Sequence, residues 1–445
     1  MTNQADILYN SDAQKIISDL SIKLNDPQKI REIVMDKNNK TMLGKINPWD
    51  PITLSHGYPG TILFYSELHQ HFPNNHYDSI AHNHIKSLSN YISGGISSIS
   101  LFGGIAGIAF SVLGSSIKGQ RYTKLLQNLD NVLVKESKAL IEQETIRKED
   151  SASPQFYDVI QGFSGVGRYF LERVDYVQSH QELIVDILKL FTRFSEPFIL
   201  NDKEIPSWYV SKDHQFLEKD MRLYPNGNFN LGLAHGIPGP LAFLSLCTLK
   251  GIEIPKQRET IAIICDWLIE KSTLNNYGYT VWPHRPSLED ILNNNSESNN
   301  EREGWCYGNP GIARSLYLAG LALKNESYKE ISLNCFKGIC DKPFADLDLI
   351  SPTFCHGKAG LLQILKRMKQ DTQNNLFDSR IKELTNTLTS QYSFDSPLGF
   401  KDLEINDNTN RLDKAGLLEG SSGTILSLLP LIKNETYWDK AFLIA

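Results

Sequence analysis

The stretch GIPGPLAFLSLCTL, Gly236 to Leu249, places two glycines three positions apart directly before a run of apolar residues. The apolar run is typical of a buried helix, and the glycines are typical of a tight turn in which the backbone passes close to a neighbour. The same arrangement occurs seven times, which indicates a repeat protein. The seven turns are GYPG (57–60), GIAG (104–107), GFSG (162–165), GIPG (236–239), GNPG (308–311), GKAG (357–360) and GSSG (420–423).

Each repeat contains a second helical pattern ahead of its turn. QELIVDILKLFTRF precedes the fourth turn and ETIAIICDWLIEKS precedes the fifth. A unit of helix, glycine turn and helix is therefore predicted, and about fifty residues per unit is long for a tetratricopeptide or HEAT repeat. Seven helical hairpins without a capping signature predict an all-α fold, a closed α/α toroid formed as a single domain over residues 1–445. In such a ring, the residues just upstream of each glycine pair converge on a central cavity.

Two longer intervals depart from the helical pattern. Residues 196–230 contain Pro, Gly and alternating aromatic residues, and we expect irregular or short β structure there, a small β-containing insertion within the toroid. Residues 286–304 are rich in Asn, Ser and Glu, which predicts a polar loop.

The composition excludes several classes of protein. The chain has 445 residues, a net charge of −6 and a pI near 6.0, which argues against a general nucleic-acid binder. The first residues lack the pattern of a secretory signal, and no apolar run is long enough for a transmembrane segment. Six irregularly spaced cysteines without a CxxC motif predict reduced thiols in the cytoplasm.

Three residues of metal-binding types lie just upstream of two neighbouring glycine turns. Cys306 precedes GNPG in the sequence WCYGNPG, and Cys355 and His356 precede GKAG in FCHGKAG. Two thiolates and one imidazole suit Zn²⁺, and three protein ligands leave a fourth position open, as in catalytic sites. A thiol bound at that position would lose its proton readily, so this pattern predicts one zinc ion per chain and a site that activates thiols.

Four further polar residues lie upstream of the third, fourth and fifth glycine turns. They are His235, Asp158, Arg302 and Tyr307. Structural roles compete with catalytic ones here: His235 could cap a helix, Asp158 could serve as a helix N-terminal carboxylate, Arg302 could be a surface residue and Tyr307 a core residue. His56, which also precedes its glycine pair, has no partner in the pattern, and we favour a structural role for it.

The ordered set of motifs resembles the lanthionine synthetase C-like (LanC) family, and within it the stand-alone bacterial lantibiotic cyclases. The resemblance extends from about residue 53 to residue 429. It rests on YDVIQGFSG, YPNGNFNLGLAHG, WCYGNPG, FCHGKAG and LLEGSSG. It implies an α/α toroid with a central zinc site, zinc ligands at Cys306, Cys355 and His356, and further active-site residues at Asp158, His235, Arg302 and Tyr307.

The resemblance also implies a reaction and a set of partners. A dehydratase converts Ser and Thr of a precursor peptide into dehydroalanine and dehydrobutyrine. The cyclase then adds peptide Cys thiols across those double bonds, which forms lanthionine and methyllanthionine. We expect His235 to donate the proton, and Asp158 either to orient His235 or to share in the proton transfer. We expect Arg302 to stabilise the enolate or to hold the site together, and Tyr307 to donate a hydrogen bond near the metal. The expected partners are the precursor peptide (leader plus core), a separate dehydratase and an export transporter, since the repeats begin too early for a fused dehydratase domain. We expect a cytoplasmic protein, in a complex that can assemble at the inner face of the membrane.

Three alternatives remain open at the level of sequence. A LanC-like enzyme can add a small thiol such as glutathione to dehydrated residues. A toroid can serve as a non-catalytic peptide-binding scaffold with a structural zinc, for which a fourth ligand such as His56 would be evidence. A prenyltransferase-like zinc enzyme also activates thiols, although its Asp/Cys/His ligand pattern differs from the one in this chain.

Overall fold

Helices separated by glycine turns make up most of the chain. The computed structural model describes residues 11–92, 94–146, 153–175, 177–200, 202–293, 302–405, 408–432 and 436–445. The chain divides into two compact units, the first formed by Met1–Asp130 with Leu349–Asp439 and the second by Asn131–Asp348 with Lys440–Ala445. Each unit has its own buried core.

The first unit contains four of the seven glycine turns and one antiparallel strand pair. Its strands are Asp402–Ile405 and Thr409–Leu412. Its α-helices are Ser11–Lys23, Pro27–Val34, Tyr58–His71, Tyr77–Ile92, Ile105–Gly114, Lys358–Thr372, Asp378–Gln391 and Ser421–Leu428, with the start of Thr123–Ile146.

The second unit contains the other three glycine turns and two antiparallel strand pairs. The strands are Phe198–Leu200 with Lys203–Ile205, and Thr273–Leu274 with Thr280–Val281. Its α-helices are the rest of Thr123–Ile146, Pro154–Tyr157, Phe163–Leu171, Gln178–Thr192, Glu218–Leu223, Pro238–Leu249, Gln257–Glu270, Leu288–Leu292, Asn309–Leu323 and Glu326–Asp341.

The two helices of each repeat differ in how they are buried. In Tyr58–His71, which follows the first glycine turn, every residue from Tyr58 to Leu68 is buried. In its partner Tyr77–Ile92, only Ala81, His84, Ile85 and Leu88 are buried, which is one helical face. The helix after a glycine turn is therefore enclosed, and the helix before the next turn covers it. The predicted unit of helix, turn and helix is confirmed.

Backbone hydrogen bonds join the glycine turns of the first unit in order. The N–H of Cys355 donates to the carbonyl of Leu418 at 2.9 Å, the N–H of Leu418 to Ser55 at 3.3 Å, and the N–H of Ser55 to Phe102 at 3.1 Å. Each of these residues lies two positions before the first glycine of its turn. The bond from Leu418 to Ser55 pairs the last repeat with the first, as the closure of a ring requires.

A glycine permits the close contact between the last and first repeats. A Cβ atom on Gly60 would lie 2.5 Å from the backbone nitrogen of Leu417, closer than real Cβ contacts allow. The helix Ser421–Leu428 packs against Tyr58–His71 across this point. Gly60 therefore lets the two repeats approach to the distance at which their backbones bond.

The last residues of the chain lie inside the second unit. Phe442, Leu443 and Ile444 are buried, and the carbonyl oxygen of Ile444 accepts a hydrogen bond from Nε of Arg314 at 2.8 Å. Trp305 Nε1 donates to the carbonyl of Phe442 at 3.0 Å, and the two rings are edge to face. This segment supports the backbone directly before Cys306.

The interval 196–230 contains a short hairpin and two short helices. The strands Phe198–Leu200 and Lys203–Ile205 pair antiparallel, and the helix Glu218–Leu223 follows the 3₁₀ turn Lys212–His214. Asn228 forms single bridges with Val210 and Ser287, which attach the end of the interval to the segment before helix Leu288–Leu292. The predicted polar loop 286–304 includes residues 294–301, which lie outside the described residues.

Hydropathy gives no candidate for a membrane span. Among the helices within the described residues, none is both long enough and apolar enough to cross a bilayer.

Candidate active site

A buried carboxylate holds a histidine at the third and fourth glycine turns. Oδ2 of Asp158 and Nδ1 of His235 are 2.6 Å apart, and Asp158 is fully buried. The other oxygen, Oδ1, accepts the backbone N–H groups of Gln161 at 2.6 Å and Gly162 at 2.8 Å. Asp158 therefore binds the two residues directly before helix Phe163–Leu171 with one oxygen and the imidazole with the other. Because Nδ1 is bound, Nε2 of His235 is the nitrogen left for chemistry.

Two backbone hydrogen bonds align the three turns of the second unit. Val159 N–H donates to the carbonyl of Ala234 at 3.0 Å, and Ala234 N–H donates to the carbonyl of Cys306 at 3.3 Å. Val159 directly follows Asp158, and Ala234 directly precedes His235. The side chains of Asp158, His235 and Cys306 therefore project from three turns that are joined by backbone hydrogen bonds.

Tyr307 lies beside the imidazole of His235. The two ring centroids are 6.2 Å apart, and the Tyr307 hydroxyl accepts a hydrogen bond from Nδ2 of Asn230 at 3.1 Å. Burial raises the pKa of Tyr307 to about 12, so the phenol keeps its proton at neutral pH. It is therefore available as a hydrogen-bond donor.

Arg302 has a different environment from the other predicted residues. It is exposed, and within the described residues it has no hydrogen bond to Asp158, His235 or Tyr307. Its charge acts on His284, whose pKa is lowered to about 4 chiefly by burial and also by Arg302. The carbonyl of Arg302 lies near Gly308, where a Cβ atom would meet it at 2.8 Å. Its backbone thus adjoins the Cys306 turn while its side chain is solvent-accessible.

In the first unit, His356 lies among carboxylates. Nδ1 of His356 is 3.7 Å from Oε1 of Glu419, and Nε2 is 4.0 Å from Oδ1 of Asp402. Lys414 pairs with both carboxylates, at 2.7 Å from Asp402 and 2.8 Å from Glu419. Such groups orient the imidazole of a metal-binding histidine.

Glu419 is ionised in this environment. Burial acts to raise its pKa, but Lys414, His356 and His56 outweigh burial and hold the pKa at about 2. The pKa of His56 is lowered too, in its case chiefly by burial. Glu419 and His56 both directly precede a glycine pair, as His235 and His356 do. That shared position is the signal by which Glu419 could have been found from the sequence.

The donor set suits zinc. Cys306 in the second unit, and Cys355 and His356 in the first, offer donor atoms of the kinds that hold a metal ion. Cys306 is buried, whereas Cys355 and His356 are partly exposed, so a ligand from solvent can reach these donors. Two soft thiolates with one imidazole match the preference of Zn²⁺.

Three other cysteines have the character of core residues. Cys247, Cys265 and Cys335 are buried within helices, and burial raises the pKa of each thiol well above its ordinary value. A thiol with a raised pKa is a poor nucleophile and a poor metal ligand. These cysteines therefore provide internal controls for the metal-binding pair.

Phe216, Asn230 and Arg285 adjoin the site, although none of them was singled out as a candidate site residue from the sequence. The ring centroid of Phe216 is 4.9 Å from that of His235. Asn230 binds Tyr307, and Arg285 belongs to the segment that pairs with the backbone around Asn230. Phe216 and Asn230 come from the interval 196–230, for which irregular or short β structure was predicted.

Comparison with known proteins gives a consistent result. The family model of lanthionine synthetase C-like proteins matches residues 48–443. The chain is 27% identical over 431 residues to the nisin biosynthesis protein NisC of Lactococcus lactis subsp. lactis, with 95% of this chain and 96% of that protein covered. The solved structure of a nisin cyclase is similar with a TM-score of 0.75 and 26% identity, covering 97% of this chain and 96% of that one.

These similarities extend over nearly the full length of this chain and of the proteins it was compared with. The predicted fold class is confirmed: the chain is mostly helical and has the α/α toroid fold. The motifs described above all lie within the matched residues. The chain belongs to the lanthionine synthetase C-like family.

Proposed function

We propose that this protein is a zinc-dependent lanthipeptide cyclase. It adds the Cys thiols of a dehydrated precursor peptide to dehydroalanine and dehydrobutyrine residues and so forms lanthionine and methyllanthionine. Membership of the family and the similarity to a nisin cyclase support the reaction class. The observation that carries the proposal in this chain is the bonded pair of Asp158 and His235 on the same set of turns as Cys306.

Cys306, Cys355 and His356 would hold one zinc ion. When bound there, zinc would lower the pKa of a peptide thiol and so favour its nucleophilic thiolate form. The carboxylates of Asp402 and Glu419 lie at 4.0 and 3.7 Å from the two nitrogens of His356, and the one facing the nitrogen that does not hold the metal would orient the imidazole.

His235 would move the proton that the addition requires. The peptide sulfur forms a bond to the β-carbon of the dehydro residue, the electrons of the double bond shift toward the adjacent carbonyl, and the α-carbon takes up a proton. The Nε2 atom of His235 can deliver that proton because Nδ1 is held by Asp158. The buried carboxylate fixes the orientation of the ring and stabilises the imidazolium form.

Tyr307 and Arg302 would act on the developing negative charge. The Tyr307 phenol is protonated and close to His235, so it can donate a hydrogen bond near the reacting carbonyl. Arg302 is exposed, so it could reach a bound peptide from the solvent side and stabilise the enolate. A dehydratase and an export transporter are the partners that this chemistry calls for.

The test is cyclisation of a dehydrated precursor by the purified, zinc-replete protein. Ring formation leaves the mass unchanged, so the readout is the loss of alkylatable thiols together with the loss of backbone fragmentation within each ring. The expected result is complete loss of free thiols at catalytic amounts of protein. Persistence of the thiols, with normal zinc content and a folded protein, would overturn the proposal.

A competing small thiol separates two members of this reaction class. Glutathione is added in excess to the same dehydrated peptide. A cyclase gives intramolecular thioethers with no added mass, whereas a glutathione-adding enzyme gives adducts with the mass of glutathione. Predominant adduct formation would contradict the cyclase assignment.

A further inference from the structure

The interval 196–230 reaches the His235 turn through a pair of adjacent residues, Gln215 and Phe216. The ring of Phe216 lies 4.9 Å from the imidazole of His235, at an interplanar angle of 56°. Phe216 is half-exposed, so one part of the ring packs on His235 and another part faces solvent. A half-exposed aromatic ring on an imidazole suited to proton transfer is a candidate contact for substrate.

Gln215 fixes the position of the preceding backbone. Its Nε2 donates to the carbonyls of Val210 at 3.3 Å and Ser211 at 3.2 Å, and its Oε1 accepts from Nη2 of Arg285 at 2.9 Å. Gln215 is buried, so these bonds are shielded from water. The backbone directly before Phe216 is therefore held in a fixed position.

Arg285 connects Gln215 to the helix Glu218–Leu223 of the same interval. Its Nη1 lies 3.3 Å from Oδ2 of Asp220, whose side chain is only 9% exposed, and its guanidinium lies over the ring of Tyr224 at 4.9 Å. Two different Nη atoms therefore bind two different partners, Gln215 and Asp220. Lysine could not reproduce this arrangement because its ammonium is a single point of charge.

Arg285 is also placed by pairing with the segment that carries Asn230. The N–H of Phe229 donates to Pro286, and the N–H of Leu231 donates to His284, both at 2.9 Å. This antiparallel register sets Arg285 directly opposite Asn230. The segment around Arg285 is therefore linked to Tyr307 through Asn230, and to the residue before Phe216 through the bond from Arg285 to Gln215.

We propose that Phe216 is a substrate-contacting residue that forms the apolar side of the site beside His235, where the dehydro residue of the peptide binds, and that Arg285 is the positioning residue that holds Phe216 there. A dehydro residue is flat because its double bond is conjugated with the neighbouring amide, so a fixed aromatic ring can pack against its face. The proposal rests on the proposed function, because the substrate class comes from it.

Steady-state kinetics on the dehydrated precursor test the proposal. In the zinc-replete full-length protein, Phe216→Ala should raise KM about ten-fold, with a smaller change in kcat and with unchanged zinc content. Phe216→Leu should have an intermediate effect. Leu217→Ala is the matched control, since Leu217 is the adjacent residue and is 42% exposed, and its kinetics should equal those of the wild type. KM values within two-fold of the wild type for Phe216→Ala would overturn the proposal.

A readout independent of turnover tests the placement of the ring. A dehydrated peptide with each Cys replaced by Ala has no thiol and cannot cyclise, so its binding is measured directly by fluorescence anisotropy. Phe216→Ala should weaken binding about ten-fold, and Arg285→Lys should weaken it in the same direction. Arg222→Lys is the control, because Arg222 forms an exposed ion pair with Glu218 in the same interval. Unchanged binding in both test variants would refute the contact.

The two proposals fail in different ways. If the wild type leaves all thiols free, the cyclase assignment fails, and the substrate contact fails with it. If the wild type cyclises the peptide and Phe216→Ala does so with the same KM and the same peptide affinity, only the contact fails. Should Phe216→Ala prove unstable, the KM and peptide affinity of Phe216→Leu give the same test in a variant that keeps an apolar side chain.

Discussion

The carboxylate of Asp158 binds both the start of a helix and the imidazole of His235. The backbone N–H groups of Gln161 and Gly162 bind Oδ1, and Nδ1 of His235 lies 2.6 Å from Oδ2. A single fully buried side chain therefore sets the local fold of one repeat and the orientation of the histidine in the next. This dual use explains why structural and catalytic roles could not be separated for Asp158 from the sequence.

Replacement of Asp158 by Asn should reduce cyclisation while leaving zinc in place. The amide can keep a hydrogen bond to the imidazole but carries no charge to stabilise its protonated form, so kcat should fall on the order of 10²- to 10⁴-fold. His235→Ala should abolish controlled cyclisation. The measurement is single-turnover thiol loss, with zinc content determined on the same samples. Asp175→Asn is the control, since Asp175 forms an exposed ion pair with Lys250, and wild-type rates in Asp158→Asn would contradict the assigned role.

Zinc content should depend on two of the six cysteines and not on the core cysteines. We expect about one zinc per chain in the wild type, and its loss in Cys306→Ala and Cys355→Ala. Cys247→Ala is the matched control: Cys247 is fully buried within helix Pro238–Leu249, so its replacement should cost stability but leave the metal bound. Elemental analysis of purified, folded protein decides the matter. Retention of zinc in both Cys306→Ala and Cys355→Ala would remove the metal assignment.

The ion pairs of Glu172 should make a pH-dependent contribution to stability. Burial acts to raise the pKa of Glu172, but Arg168 and Lys440 outweigh it and lower the pKa to about 2. A depressed pKa means that the contribution is complete above the unfolded pKa of about 4.5 and is lost as the pH falls toward 2. Glu172→Gln should therefore lower the free energy of unfolding by roughly 2–3 kcal/mol at pH 7, with a difference that narrows below about pH 4.5.

Urea unfolding of the wild type and Glu172→Gln between pH 7 and pH 3 measures this difference. Glu253→Gln serves as the control, because Glu253 pairs with Arg258 at the surface and its loss should be hard to detect. A constant difference between wild type and Glu172→Gln over the whole range would show that packing, and not charge, accounts for the role of Glu172.

Gly60→Ala should destabilise the first unit. The added Cβ would lie 2.5 Å from the backbone nitrogen of Leu417, and backbone cannot move aside as a flexible side chain can. A loss of about 2 kcal/mol or more in the free energy of unfolding is expected. Gly94→Ala provides the comparison, since no atom lies within 4 Å of a Cβ built there. Equal unfolding midpoints for the two variants would show that the first and last repeats do not meet as tightly as described.

The sequence by itself determined the repeat, the helix pairs and the positions that carry chemistry. Periodic apolar residues after each glycine pair encode an enclosed helix, and this local signal needs no knowledge of distant residues, as in Tyr58–His71. The residues directly before the glycines, such as His235 and Tyr307, could also be singled out, because the repeat marks equivalent positions. Family resemblance then associated those positions with a reaction.

Only the tertiary structure decided which distant side chains meet. The bond between His235 and Asp158 joins residues 77 positions apart, and the contact of Phe216 with His235 depends on the path of an irregular segment. The pairing that sets Arg285 opposite Asn230 comes from two segments without a strand pattern in their sequences. Such contacts depend on packing and on hydrogen bonds between segments remote in sequence, and local residue patterns carry no information about either. For that reason the chemistry of the turns could be predicted, whereas the side chains that surround them had to be observed.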